Sequence, residues 1–157
     1  ARKMGVVLGE NCRLIGLPDW GSEPWLISIG NHTEVSFDVA FITHDGATWC
    51  FRDQDEYKGT LKFGRIRIGN NCFIGARSTI LPGVTIGDNS IVAAGAVVNR
   101  SIPSGEVWGG VPAHYIMKTK DYADKCKENT PIYDLENYRK NFREEVNLIC
   151  DRMEHSM

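Results

Sequence analysis

A six-residue repeat runs from Ile68 to Pro103 and constrains the fold more than any other feature of this 157-residue chain. Divided into hexads, the stretch is IGNNCF, IGARST, ILPGVT, IGDNSI, VAAGAV and VNRSIP. Each hexad opens with a β-branched aliphatic residue, and the residue four positions later is mostly small. An amphipathic helix repeats its apolar residues every three or four positions, and a half-buried strand alternates every two, so neither fits this period.

The period is typical of short strands that wrap around an axis, with a turn after each strand. Hexapeptide repeats are a signature of the parallel β-helix. We expect the leading residues to point inward and to stack on their counterparts in the next coil; they are Ile68, Ile74, Ile80, Ile86, Val92 and Val98. Less regular hexads occur earlier in the chain, and they begin with Leu8, Leu14, Ile29, Val35 and Phe41.

Two segments interrupt the repeat, near residues 16–26 and 47–65. Insertions into a repetitive fold become loops on one face, which is often the binding face. The sequence therefore predicts an all-β solenoid over residues 1–118 that carries two loops. The remaining residues, 119–157, are predicted to form a C-terminal helical extension.

The C-terminal extension is predicted to hold two helices. The first spans 119–128 and ends before Pro131, because the residue that precedes a proline disfavours the helical conformation. Asp134 is placed to cap a longer second helix. The apolar residues of that helix recur at steps of three or four and are predicted to pack on the β-helix or on a neighbouring subunit; they are Leu135, Tyr138, Phe142, Val146, Ile149 and Met153.

The chain resembles the hexapeptide-repeat acyltransferases, and within them the maltose, galactoside and polysaccharide O-acetyltransferases. The resemblance is carried by the hexads, by ILPGVTIGDNSIVAAGAVV, by the closing GGVPAHYI and by VAFITHDGATWCFRD. It implies a left-handed parallel β-helix with three hexads per coil, and a homotrimer with active sites between adjacent subunits. It also implies acetyl-CoA as co-substrate, a small sugar-type acceptor and a cytoplasmic enzyme of polysaccharide biosynthesis, with no metal.

Acetyl transfer from a thioester needs a base for the acceptor's hydroxyl or amine, a donor for the oxyanion, and a fixed geometry between the two substrates. His44 is the candidate general base, because it stands just before the second interruption and imidazole titrates near working pH. It also matches the catalytic histidine of the resembled family. Asp45 or Asp38 is a candidate for orienting the imidazole, and a backbone carbonyl is an alternative.

The candidate coenzyme A contacts follow from the resemblance alone. Ala76 matches the position whose main-chain N–H stabilises the oxyanion from the adjacent subunit, and both Ala76 and Ala94 match positions along the pantetheine arm. Asn99 and Arg100 match positions near the adenosine, where relatives often carry Thr and Lys. Lys118 is a candidate phosphate contact.

Tryptophans stand in or beside both interruptions and suggest the acceptor pocket, because exposed aromatic rings stack on sugar faces. Trp20 and Trp49 are the candidates for this contact, together with Asp38 as a polar substrate contact. Packing of each tryptophan on the solenoid as a loop anchor is the alternative.

Composition excludes several other classes of protein. The formal net charge is −2 and the isoelectric point about 6.1, so no basic excess indicates nucleic acid. No apolar run approaches the length that crosses a membrane, and no signal peptide is expected at the start. The five cysteines are widely spaced and lack a Cys-x-x-Cys pair, which favours reduced thiols. With no activated nucleophile expected beside His44, direct transfer in a ternary complex is predicted.

Two alternatives share the predicted fold. A γ-type carbonic anhydrase needs three histidines on zinc, and the chain has only four, of which His32 and His44 lie two hexads apart. A non-catalytic hexapeptide scaffold is the other alternative, although a scaffold has no need of two loops beside a histidine.

Overall fold

A computed structural model describes residues 1–155, which fall into two compact units. The first unit is Ala1–Thr119 and the second begins at Lys120. The functional candidates named above all lie in the first unit, so its architecture decides how they are placed.

The first unit consists of short parallel strands arranged in three sheets. In chain order the strands are β1 (Val7–Leu8), β2 (Arg13–Leu14), β3 (Ile27–Ile29), β4 (Glu34–Val35), β5 (Ala40–Phe41), β6 (Ile66–Ile68), β7 (Phe73–Ile74), β8 (Thr79–Ile80), β9 (Thr85–Ile86), β10 (Ile91–Val92), β11 (Val97–Val98), β12 (Glu106–Gly109) and β13 (His114–Lys118). The first sheet has the order β1-β3-β6-β9, the second β13-β12-β10-β7-β4-β2, and the third β11-β8-β5. Successive strands from β3 to β11 belong to the first, second and third sheets in turn.

The register shows how the repeat becomes a core. Arg67 pairs with Thr85, so equivalent residues in successive coils are three hexads apart. All six leading aliphatic residues of the strong repeat are buried, as are the small residues four positions later. The prediction of inward stacking is therefore confirmed, together with parallel sheets and C-terminal helices; the strand pairing does not by itself give the hand of the coil.

The turns between strands use the left-handed backbone region at the fourth position of the hexad. Asn71, Arg77 and Asn89 have φ between 53° and 59° there, and glycine occupies the same position at 83 and 95. Asparagine tolerates this conformation better than most residues. At the corner between the first and second sheets, side chains also bond from coil to coil: His32 Nδ1 lies 2.8 Å from Asn71 Oδ1, and Asn71 Nδ2 donates to Asn89 Oδ1 at 2.8 Å.

Glycine is required where successive coils touch. A Cβ added to Gly75 would lie 2.5 Å from the backbone nitrogen of Ala94 in the next coil. Any side chain there would force the coils apart, which explains why glycine follows a leading aliphatic residue in the strong repeat.

Both interruptions lie between strands, the first between β2 and β3 and the second between β5 and β6. The first contains a 3₁₀ turn, Pro24–Leu26, and a parallel bridge from Asp19 to Ala40. The second contains two 3₁₀ turns, Gly46–Cys50 and Asp55–Tyr57. The β-stack ends with β13, which pairs antiparallel with β12 and so breaks the parallel pattern.

The C-terminal unit contains the helices α1 (Thr119–Asn129), α2 (Leu135–Lys140) and α3 (Phe142–Glu154). The single long helix predicted after Asp134 is wrong, because the backbone of Asn141 leaves the helical region at φ −129° and ψ 56°. Asp134 does cap α2, accepting from the backbone of Glu136 and Asn137. The buried carboxylate of Glu145 then joins the two pieces, accepting from Asp134 N and Asn137 Nδ2 at 3.0 and 2.8 Å.

The apolar stripe predicted on this extension is only partly covered within the chain. Leu135, Phe142 and Met153 are exposed, while Tyr138 contacts Phe142 edge-on at 5.1 Å between ring centroids. What the stripe packs against stays a prediction. Within residues 1–155, no helix has the length and apolar character needed to cross a membrane.

The stacked core makes a stability prediction. Ile74→Ala should lower the free energy of unfolding by about 2–5 kcal/mol, because the side chain is fully buried and its loss leaves a cavity. Ile132→Ala is the matched control; that side chain is 94% exposed, and its loss should change stability by no more than about 0.5 kcal/mol. Urea unfolding followed by circular dichroism measures both values. Equal effects of the two substitutions would contradict the stacking model.

Candidate active site

His44 stands where the second loop leaves the repeat. It occupies the fourth position of the hexad led by Phe41, the position that turns left-handed in most other hexads, but His44 does not have a positive φ. Instead the chain runs outward and returns beside itself. Asp45 N donates to Lys62 O at 2.8 Å, Gly64 N donates to Thr43 O at 2.9 Å, and His44 forms an antiparallel bridge with Phe63. The base of the loop thus holds the backbone of His44 on both sides.

Glu23, from the first loop, holds the imidazole. Its Oε2 lies 2.9 Å from His44 Nδ1 and accepts from Thr43 Oγ1 at 2.6 Å. The hydrogen bonds from Thr43 and His44 lower the pKa of Glu23, because both stabilise the carboxylate over the acid. The acceptor beside Nδ1 therefore stays ionised to lower pH than an ordinary glutamate.

The Glu23 carboxylate also fixes which imidazole nitrogen can act as a base. An ionised carboxylate is only an acceptor, so the hydrogen bond requires the proton to be on Nδ1. In the neutral ring this leaves Nε2 without a proton. Within residues 1–155 no side chain or backbone group is hydrogen-bonded to Nε2, and the His44 side chain is 39% exposed. A neutral His44 in this arrangement can accept a proton from a bound hydroxyl.

The prediction that Asp45 or Asp38 orients His44 is wrong. Asp45 Oδ2 lies 2.8 Å from Lys62 Nζ, and Oδ1 caps the following 3₁₀ turn by accepting from Ala47 N. The hydrogen bond from Lys62 is also the largest cause of the lowered pKa of Asp45. Asp38 lies on a different corner, 3.8 Å from Arg77. Sequence reasoning missed Glu23, whose only signal was its place in the first interruption.

A pocket of about 250 Å³ opens beside His44 within the second loop. Its lining combines a base, an aromatic face and charged groups; it consists of His44, Asp45, Gly46, Thr48, Trp49, Arg52, Leu61, Lys62 and Phe63. Trp49 is 68% exposed, and the Arg52 guanidinium lies 4.7 Å from the centroid of its ring. The placement of Trp49 agrees with its predicted role as a stacking surface, which stays a prediction.

Trp20 does not share that placement. Its ring is buried and stacks on Phe41 with centroids 5.0 Å apart and planes 9° from parallel. The predicted sugar contact through Trp20 is therefore not supported, and the alternative of a loop anchor describes it. The bridge between Asp19 and Ala40 explains the stacking, because it puts Trp20 over Phe41 in the neighbouring coil.

The predicted pantetheine positions lie together at another corner. Ala76 and Ala94 occupy the turns between the second and third sheets in successive coils, and Ala76 O accepts from Gly95 N at 2.8 Å. Neither alanine's N–H donates to a backbone or side-chain acceptor within residues 1–155. Their predicted contacts with the pantetheine arm stay a prediction.

The predicted adenosine and phosphate contacts gather around Trp108. Arg100 lies 5.2 Å from the centroid of its ring. Glu106 links the ring to Lys118, accepting from Trp108 Nε1 at 2.8 Å and from Lys118 Nζ at 2.6 Å. The hydrogen bonds from Lys118 and then from Trp108 lower the pKa of Glu106. Asn99 is exposed beside Arg100. The structure therefore brings Arg100, Glu106 and Lys118 together around Trp108.

The histidines do not converge on a metal. Within the part of the chain that the structure describes, no group of three or more His, Cys, Asp or Glu side chains could hold a metal ion. His32 bonds to Asn71 at one corner, whereas His44 bonds to Glu23 at another. The three-histidine zinc site of the carbonic anhydrase alternative is not formed by these residues.

Known proteins share this fold and this repeat. The family model for the hexapeptide repeat of succinyl-transferase matches residues 65–100. Protein CapG of Staphylococcus aureus is 45% identical over 139 residues, which cover 87% of this chain and 80% of CapG. A maltose O-acetyltransferase structure from Clostridium difficile 630 superposes with a TM-score of 0.60 and 29% identity, over 73% of this chain and 59% of that one.

A hexapeptide-repeat acetyltransferase from Vibrio cholerae O1 biovar eltor, complexed with acetyl-CoA, superposes with a TM-score of 0.55 at 28% identity. The match covers 74% of this chain and 62% of that one, so this chain spans less than two thirds of both solved relatives. The extent of the likeness to CapG places the chain in the hexapeptide-repeat acetyltransferase family. The predicted family is confirmed, and at the level of that family so are the acetyltransferase class and acetyl-CoA as co-substrate.

The contact between Glu23 and His44 predicts the effect of removing the carboxylate. Glu23→Gln should lower kcat about 10- to 1,000-fold, because the amide can donate to Nδ1 and favour the tautomer that has no free Nε2.

Glu34→Gln is the matched control for this substitution. Glu34 lies 3.0 Å from Arg13 on the second sheet and does not contact His44. Comparison of kcat with the urea-unfolding free energy of both variants separates positioning from general destabilisation. A wild-type kcat in Glu23→Gln would show that Glu23 does not act through His44.

Proposed function

We propose that the chain transfers the acetyl group of acetyl-CoA to a hydroxyl of a sugar-type acceptor, with His44 as general base and Glu23 as its positioning residue. The observation that carries the proposal is the held imidazole beside a pocket: Nδ1 is fixed by a carboxylate, and the same residue lines a cavity with an exposed indole. A buried histidine bonded on both nitrogens would not support acid–base work.

The chemistry follows from these contacts. His44 Nε2 takes the hydroxyl proton as the acceptor oxygen bonds to the thioester carbonyl carbon. Glu23 stabilises the imidazolium that results, as its charge is opposite and 2.9 Å away. A main-chain N–H, proposed to be that of Ala76, donates to the oxyanion. When the carbon–sulfur bond breaks, His44 returns the proton to the departing thiolate of coenzyme A.

The proposal needs more than one copy of the chain. Within one chain, His44 lies at the corner after the third-sheet strand β5, and Ala76 lies at the corner before the third-sheet strand β8. The two residues thus lie at opposite edges of the third sheet. We infer a homotrimer of left-handed coils, in which Ala76 of an adjacent copy faces His44, in accord with the family resemblance.

Direct transfer, without an acetyl-enzyme, is the proposed route. Cys72 is buried and its burial raises its pKa, so its thiolate is disfavoured. Cys50 is exposed but does not line the His44 pocket. Ser78 and Ser90 are fully buried, and their hydroxyls bond to carbonyls of Gly75 and Pro103. The acceptor's own hydroxyl is then the group left for His44 to deprotonate.

The assignment of His44 is tested by His44→Ala, which should lower kcat about 10²- to 10⁴-fold, the usual contribution of a general base. Light scattering should give the mass of three chains for both proteins, and calorimetry should show unchanged coenzyme A binding. The control is His32→Asn, because asparagine already occupies the equivalent turn positions 11, 71 and 89. A kcat of His44→Ala close to that of the wild type would show that His44 is not the base. A light-scattering mass of one chain would show that the protein is not a trimer.

The kinetic route is tested by initial rates at several fixed acceptor concentrations. Double-reciprocal lines should intersect, as expected when both substrates are bound before transfer. Mass spectrometry after incubation with acetyl-CoA alone should find no added acetyl group on Cys50. Parallel lines, or an acetylated Cys50, would establish a covalent route instead.

A further inference from the structure

Arg52 is a cation in the His44 pocket with no anion to balance it. Its side chain is half-buried and lies over Trp49, 4.7 Å from the ring centroid. Within residues 1–155 no ion pair or hydrogen bond joins its guanidinium to another group, although its backbone N–H donates to Thr48 O at 2.9 Å. Five N–H donors are thus held beside the pocket without an acceptor from the described protein.

The other charges at the pocket are already paired. Asp45 and Lys62 neutralise each other at 2.8 Å, and Glu23 is engaged by His44 and Thr43. The acidic residues that follow Arg52 in the loop, namely Asp53, Asp55 and Glu56, are exposed and do not line the pocket. The net charge offered to a pocket ligand therefore comes from Arg52.

The stacked geometry prepares Arg52 for an anion with two accessible oxygen atoms. Packing on an indole restricts the guanidinium and shields it partly from water, which lowers the entropy lost when its donors are engaged. A guanidinium forms paired, charge-assisted hydrogen bonds with carboxylate and phosphate oxygens. Partial burial also weakens the screening that makes exposed charges ineffective.

We infer that the acceptor carries an anionic group, a carboxylate or a phosphate, which Arg52 binds while the acceptor hydroxyl meets His44. This inference rests on the proposed function. The anion belongs to the acceptor because Arg52 shares one pocket with His44 and Trp49. The cations predicted to contact coenzyme A, Arg100 near the adenosine and Lys118 at a phosphate, lie instead around Trp108 and Glu106.

The test uses three acceptors that share one sugar ring: glucose, glucuronate and glucose 6-phosphate. The wild-type protein should show kcat/KM at least about tenfold higher for one of the two anions than for glucose, the size expected of a charge-assisted hydrogen bond. The anion that is preferred identifies a carboxylate or a phosphate as the recognised group. Arg52→Gln should remove most of that preference, and Arg52→Lys should retain part of it.

Lys58→Gln is the matched control, since it removes one positive charge from the same loop at an exposed residue outside the pocket. The preference for the anion should survive this substitution. Raising the salt concentration should weaken the preference in the wild-type protein and have little effect on the ratio in Arg52→Gln. Equal kcat/KM for anionic and neutral acceptors in the wild type would overturn the inference, as would an Arg52→Gln defect confined to the KM for acetyl-CoA.

A binding measurement separates failure of this inference from failure of the proposed function. If glucose is acetylated as well as the anions, acetyl transfer stands and the role of Arg52 is overturned. If no acceptor is acetylated, calorimetric titration with glucuronate, glucose 6-phosphate and inorganic phosphate still tests the site. Binding of at least one anion that is lost in Arg52→Gln supports the inference without the enzyme activity, and binding of none by the wild type overturns it.

Discussion

Stacking of inward side chains at a three-hexad interval holds every other feature of the first unit in place. The strands from β1 to β11 are two or three residues long, and such strands have no stability of their own. Inner strands such as β6 are held by backbone hydrogen bonds to the coils on either side. From β3 to β11, the leading residue of every strand is buried. Phe41, fully buried in this stack, fixes the position from which the chain reaches His44 three residues later. The reactive imidazole is therefore placed by the core, even though it lies at a loop.

The two interruptions meet because they leave the stack at related places. The first occupies the third-sheet position of its coil, where Asp19 bridges to Ala40, and the second leaves directly after β5, which contains Ala40. The first loop therefore lies against the start of the second loop, in the neighbouring coil. That arrangement stacks Trp20 on Phe41 and brings Glu23 within hydrogen-bond distance of Thr43 and His44. The Glu23–His44 pair is a contact between coils, made by a residue of the first loop and a residue at the start of the second.

Ion pairs and hydrogen bonds within the protein occupy the two carboxylates of the site. Glu23 is committed to His44, and Asp45 is committed to Lys62 and to the cap of the 3₁₀ turn. Because these carboxylates are satisfied locally, neither of them neutralises Arg52 on its tryptophan face. In the proposed function, the same pocket combines a neutral imidazole, which accepts a proton, with a cation that binds an anionic acceptor.

The six-residue period by itself determined the class of fold and the buried residues of the core, because inward stacking requires the same small set of side chains at the same interval. It also placed His44 at the edge of an interruption, and the family resemblance then made this histidine the candidate base. The period did not reveal Glu23, since a partner 21 residues away in another aperiodic loop leaves no repeating signal. Nor did it separate Trp20 from Trp49, or show that Asp45 serves Lys62. Those outcomes depend on how two irregular segments fold against adjacent coils. There the tertiary structure sets the distance between side chains, and the spacing along the chain does not predict it.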